Sequence, residues 1–391
     1  MILPPLSLYV HLPWCVRKCP YCDFNSHTAA ATAQTARYVQ ALEIDLELEA
    51  ASGRAAGRSI DSIFLGGGTP SLFSAGQIAT ILQAIARLLT VSPQAEITME
   101  ANPGTIERGR LADYRQAGVN RLSLGAQSFD RDTLKRLGRI HGPEEIVTAC
   151  EEASRAGFQS INLDLMFALP GQSLKLSVAD VEQALELAPQ HISYYQLTLE
   201  PNTVFYSRPP PDLPDDDSAW LMQQEGHERL AAAGYRQYEI SAFALDGLEC
   251  RHNLNYWQFG DYLAVGAGAH GKWSATDGTV CRYRKPAHPA SYMQQSEARE
   301  YRELPQEVAG DELAFEFMLN LLRLPAGFRE ADFSARTGLP SSVLTPALRR
   351  AEAAGMLEPG GADAWSPTPL GLRFLNDLQA EFLPPAPPQR V

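Results

Sequence analysis

LSLYVHLPWCVRKCPYCDF, residues 6–24, joins two signals end to end: a β-rich run at 6–12 and then cysteines at 15, 19 and 22. If the run is a strand, the cysteines fall on the loop leaving its C-terminal end, where ligand sites form in α/β folds. The same arrangement recurs along the chain. β-rich runs follow at 61–69 (DSIFLGGGT), 95–102, 120–128, 160–170 and 191–201. Between them lie amphipathic stretches such as ARYVQALEIDLELEA and QIATILQAIARLLT, with apolar residues at i, i+3 and i+4. Six strands alternating with crossovers predict an α/β protein with a parallel sheet, its strand-end loops gathered on one face. Gly66–Thr69, Glu100, Gln127 and Asp164 fall on that face with Cys15, and a barrel, not necessarily closed, brings them together.

The chain has 391 residues, 45% of them hydrophobic and 20% charged, which excludes disordered and fibrous classes. A formal charge of -13 argues against nucleic acid and anionic membrane surfaces as partners. The start, MILPPLSLYVHLPW, has no secretory pattern and no run reaches membrane-spanning length, so the expected location is the cytoplasm. Thiols stay reduced there, and a tight cysteine group then points to metal or redox chemistry. Cys150, Cys250 and Cys281 stand alone and read as small buried hydrophobes. For Cys15, Cys19 and Cys22 the residues leave three readings open. One is zinc, with His11 or His27 near enough to help. Another is a redox pair of Cys19 and Cys22. The third is a 4Fe-4S cluster, in which three thiolates leave one iron an open position.

C-x3-C-x2-C with an aromatic before its last cysteine resembles the radical S-adenosylmethionine (SAM) family. GGGTP (66–70), MEANP (99–103), SLGAQSF (123–129), LGRIH (137–141) and NLDLMFALPGQ (162–172) follow in order. Together they are similar to the branch built around oxygen-independent coproporphyrinogen III oxidase, over essentially the whole chain. The resemblance implies a partial (β/α)6 barrel and a mainly helical, winged-helix-like C-terminal domain. It also implies a 4Fe-4S cluster on Cys15, Cys19 and Cys22, whose open iron takes SAM for reductive cleavage. Carried over by position, Tyr9 and Gly67 line a first SAM and Glu100 accepts from it. Tyr21, Gly68, Thr69, Gln127, Arg139 and Asp164 match contacts to a second SAM, although Arg139 and Asp164 also have the charges to pair with each other.

The oxidase pattern continues Cys-x-Cys, whereas Phe24 stands here. That departure resembles a sister group, the HemW-type heme chaperones. HNLNYW (252–257) resembles that group's H-N-x-x-Y-W pattern, which makes His252 the candidate heme ligand and His270, in VGAGAHG (265–271), a lesser one. The implied function is heme binding and delivery to apoproteins such as respiratory enzymes. Oxidative decarboxylation of coproporphyrinogen III is the alternative, followed by a zinc-stabilised structural protein, and no catalytic residue is assigned.

The expected division is a barrel at 1–205, a connecting region at 206–304 with an extra strand in YRQYEISAFAL, and a C-terminal domain at 305–391. RPPPDLPDDD (208–217) marks the first boundary, and PPAPPQRV forms a tail. Residues 301–391 carry 8 Arg and no Lys against 12 Asp and Glu, so the winged-helix-like order carries the wrong charge for DNA.

Overall fold

The computed structural model describes residues 3–28, 32–55, 57–105, 110–301 and 305–384, so most of the expected tail lies outside it. Strands β1 (Leu6–Leu12), β2 (Ile60–Gly67), β3 (Val91–Ala101), β4 (Arg121–Gln127), β5 (Ser160–Phe167) and β6 (His191–Gln196) lie side by side in chain order, all parallel. The helices Thr32–Ala51, Ala75–Leu88, Arg110–Ala117, Pro143–Arg155 and Leu174–Glu186 lie in the crossovers between them. Leu8, Val10, Ile63, Leu65, Leu122, Leu124, Leu163 and Ile192 are fully or almost fully buried in the main core, together with Ile78, Ile81 and Ile85 of the second helix. The alternate positions Ser7, Ser62, Thr98, Ser123, Asn162 and Ser193 are polar, and Ser7 bonds to Ser62 while Asn162 bonds to Ser123 and Ser193 on the neighbouring strands. This period-2 alternation makes one face a dry core and the other a polar one.

The sheet runs on beyond these six strands on both sides. YRQYEISAFAL is not one strand but an antiparallel hairpin, β7 (Arg236–Glu239) and β8 (Ala242–Ala244), with β8 paired to β6. Glu239 accepts from the backbone amide of Ser241 and Gln237 donates to the carbonyl of Ile240, which closes the turn inside the run. On the other edge, β9 (Asp261–Val265) adds a further parallel strand beside β1, with Tyr9 opposite Ala264. β10 (His270–Ser274), β11 (Val280–Arg284) and β12 (Gln306–Glu307) continue antiparallel from it. The connecting region 206–304, expected to hold one extra strand, therefore also contains most of a four-strand wing. A buried network ties this wing to the first helix. Lys285 donates to Asp45 and Glu49 at 2.6 Å each, and Tyr292 donates to Asp45 at 2.8 Å.

The last part of the chain has its own core, built on Phe317, Met318, Phe333, Leu348 and Trp365. Helix Thr345–Ala353, the hairpin Leu357–Pro359 and Ala364–Pro367, and helices Pro369–Arg373 and Leu375–Ala380 follow in the winged-helix-like order.

Candidate functional site

The loop after β1 is stitched to the end of β2 by backbone hydrogen bonds. Gly68 N donates to Leu12 O and Thr69 N to Trp14 O, both at 2.8 Å. Only glycine fits there. A Cβ on Gly68 would stand 2.7–2.8 Å from backbone atoms of Pro13 and Trp14, and Gly67 has φ +113° with the His11 ring 2.3 Å from where its Cβ would be. This close approach sets Thr69 Oγ1 3.4 Å from Cys15 Sγ, to which it donates. Arg139 sits against Cys19 Sγ at 3.6 Å and also donates to Gly125 O at 2.9 Å.

These groups line one cavity of about 370 Å³ at the barrel mouth. Cys15, Cys19, Cys22, Tyr21, Gly67, Gly68, Thr69, Glu100, Gln127, Arg139 and Asp164 all face it. Glu100 Oε2 accepts from Gly67 N at 3.0 Å. Burial, with Asp164 adding to it and the Gly67 hydrogen bond opposing, pushes the Glu100 carboxyl up to about 7. Asp164 accepts from Asn162 Nδ2 at 2.8 Å and Ser123 Oγ at 3.1 Å, so among the described residues its bonds go to neutral donors and not to Arg139. Gln127 takes the left-handed conformation, φ 64°, and its Oε1 is buried without a hydrogen-bond partner among the described residues. Burial raises the Cys15 and Cys22 thiols, partly offset at Cys15 by Thr69. Among the described residues, no three His, Cys, Asp or Glu side chains form a group able to hold one metal ion.

A second cavity, of about 880 Å³, adjoins the first. Asp23, Phe24, Gly67 and Glu100 line both. Tyr9 and His252 belong to this second cavity, as does His270. His252 sits in the first turn of helix Arg251–Trp257, whose N-terminal amides have an unusual cap. Glu96 of β3 accepts from Arg251 N at 3.2 Å and His252 N at 3.1 Å, while the side chain of the preceding Cys250 caps nothing. Burial first, and the charge of Arg121 second, lower the His252 imidazole to about 3, so it is neutral over the working range. Its ring centre lies 5.1 Å from that of Phe64 and 6.5 Å from that of Tyr9. Tyr256, Trp257 and Tyr262 continue the aromatic wall. Arg282 closes one side, bound to Glu316 of the C-terminal domain and donating to Tyr262 Oη at 3.0 Å.

Neither histidine considered for zinc is placed to join the thiols. His11 has Nδ1 against Tyr9 Oη and Nε2 against Asn25 O, and His27 rests on Asn25 and His288. Several contributors escaped sequence reasoning: Glu96, Arg282, Tyr262 and Asn25. Asn25 Nδ2 donates to Ala267 O at 2.9 Å and Ala287 O at 2.8 Å, clamping the glycine turn. Its adjacency to Phe24 was the one available signal.

The fold and the three-cysteine cavity define a radical SAM protein. The Radical SAM superfamily model matches residues 9–188 and the HemN C-terminal domain model residues 308–374. Among solved structures, coproporphyrinogen III oxidase (HemN) from Escherichia coli superimposes with a TM-score of 0.82 at 22% identity, covering 97% of this chain and 90% of that one. Heme chaperone HemW of Escherichia coli strain K12 is 51% identical over 381 residues, 97% of this chain and 99% of the relative. Heme chaperone HemW of Haemophilus influenzae is 46% identical over 383 residues, 97% and 98%. The chain belongs to the HemW family.

Proposed function

We propose that this protein is a cytoplasmic heme chaperone, taking up heme in the aromatic cavity and delivering it to apoproteins such as respiratory enzymes. The observation that carries this reading is the environment of His252. The imidazole is neutral, its Nε2 has no hydrogen-bond partner among the described residues, and it lines a cavity walled by Tyr9, Phe64, Tyr256, Trp257 and Tyr262. Neutral imidazole is the form that ligates iron, and flat aromatic faces suit a macrocycle. Arg282, paired with Glu316, places a guanidinium at the cavity edge.

Cys15, Cys19 and Cys22 would hold a 4Fe-4S cluster and the glycine cradle a SAM. When bound, that pair supplies an electron and a cleavable sulfonium. The donor set suits a cluster, with one thiol per iron, better than a single zinc, which needs its ligands converging on one point. Around it the chain's own groups have separable tasks. Gly67 and Gly68 let a ligand approach the backbone, Glu100 and Asp164 accept from amino or hydroxyl groups, and Gln127 Oε1 adds a further acceptor. Arg139 holds positive charge beside Cys19.

In this reading the heme region, 206–304, lies between a barrel of 1–205 and a C-terminal domain of 305–391. The test is hemin titration of the anaerobically reconstituted protein, followed by mixing with an apo heme protein. A Soret band that forms and then moves to the acceptor is expected. Conversion of coproporphyrinogen III to protoporphyrinogen with SAM and reductant would replace the chaperone reading with the decarboxylase.

A further inference from the structure

The side of His252 turned away from the cavity is held by a chain of neutral hydrogen-bonding groups. Nδ1 is 3.1 Å from Ser62 Oγ, Ser62 Oγ is 2.7 Å from Ser7 Oγ, and Asn255 Nδ2 donates to Ser7 Oγ at 2.8 Å. Ser7 and Ser62 are each 1% exposed, on adjacent strands. The direction of part of this chain is fixed. Asn255 Nδ2 also lies 2.9 Å from Asp261 O, a carbonyl that only accepts, so the amide nitrogen faces both partners and spends its two hydrogens on them. Ser7 therefore receives a hydrogen from Asn255 and keeps one lone pair and its own hydrogen for Ser62.

Resting on the proposed heme site, a ligating His252 must bind iron through Nε2 and carry its proton on Nδ1. Among the described residues, the hydrogen-bond partner of Nδ1 is Ser62 Oγ. The hydrogen bonds then run from Nδ1–H to Ser62 and from Ser62 to Ser7, which accepts from both sides. We propose that Ser62, backed by Ser7 and anchored by Asn255, is the positioning residue of this site: it orients the imidazole, presents Nε2 to the ligand and raises its donor strength by accepting from Nδ1–H. Partners of this kind behind a metal-bound histidine change affinity by about 10- to 100-fold when removed.

The test compares hemin binding to the full-length protein, Ser62→Ala, Ser62→Thr and His252→Ala, with the iron–histidine stretch of the ferrous complex read by resonance Raman. Ser62→Ala is expected to bind hemin about 10-fold more weakly and to lower the stretching frequency, because the ring loses its acceptor. Ser62→Thr keeps the hydroxyl on a strand residue and is expected to restore both. If His252→Ala binds hemin as the parent does, the heme site itself is misassigned. If His252→Ala loses binding while Ser62→Ala keeps the parent's affinity and frequency, the site stands and the relay is overturned. An Ser62→Ala protein that fails to fold passes the decision to Ser7→Ala, where an unchanged frequency counts against the relay.

Discussion

The two adjoining cavities are built by opposite means. The one at the barrel mouth is polar and made of loop ends: thiols, glycines, two partly buried carboxylates and a guanidinium gathered from β1 to β5. The other is aromatic and made of element interiors, with His252 set by a helix that Glu96 caps from the neighbouring sheet. The first keeps charge in a confined space, which suits a small charged cofactor. The second keeps a neutral imidazole among flat apolar faces, which suits a large planar ligand. The difference teaches that one strand-end wall, Gly67 and Glu100, serves two chemistries because each side meets a different neighbour.

The sharpest break between the two comes from the thiols. Cys15→Ser, Cys19→Ser or Cys22→Ser is expected to abolish cluster assembly, taking iron from about four per chain to near zero by iron and sulfide analysis, while hemin binding persists. Loss of both together would show that the cavities are one site.

Next is the shared wall. Glu100 is pushed up to about 7 in the folded protein against an ordinary 4.5, so between those values the folded state holds a proton that the unfolded state has lost. Stability contributed here is present below pH 4.5 and lost as pH rises through 7, about 3 kcal/mol in all. Glu100→Gln retains an acceptor for the Gly67 amide and is expected to remove that loss, seen as a flatter pH dependence of ligand-free unfolding. An identical slope would put the ionised carboxylate in contact with water.

Gly68→Ala addresses the mouth alone. Its Cβ meets backbone, which cannot swing aside, so a cost of about 2–3 kcal/mol is expected in denaturant unfolding. The smallest effect belongs to the aromatic side: Glu96→Gln weakens the charged cap on Arg251 and His252 by about 1 kcal/mol, with hemin affinity falling and the cluster unaffected.

The parts visible in the sequence were local. The run LSLYVHL is β1 to the residue, and the polar residues at the ends of the early strands converge because parallel crossovers leave them no other face. The wing escaped because DYLAV is only five residues long and pairs with a strand more than 250 positions earlier, a contact that no local pattern encodes. Buried charge misled in the same way. Asp45 and Glu49 sit in what reads as an ordinary amphipathic helix, yet they are buried on Lys285, and Glu96 serves amides 155 and 156 residues away. Tyr9, carried over as a SAM residue, lies beside His252 of helix Arg251–Trp257 and lines the second cavity with it.

Two guanidiniums join the final module to the aromatic chamber. Arg323 lies 4.2 Å over the Trp257 ring and pairs with Glu239, while Arg282 reaches Glu316. The final module is thus pinned to the chamber wall at two separate points, so that any displacement of it is carried to Trp257 and Arg282 together.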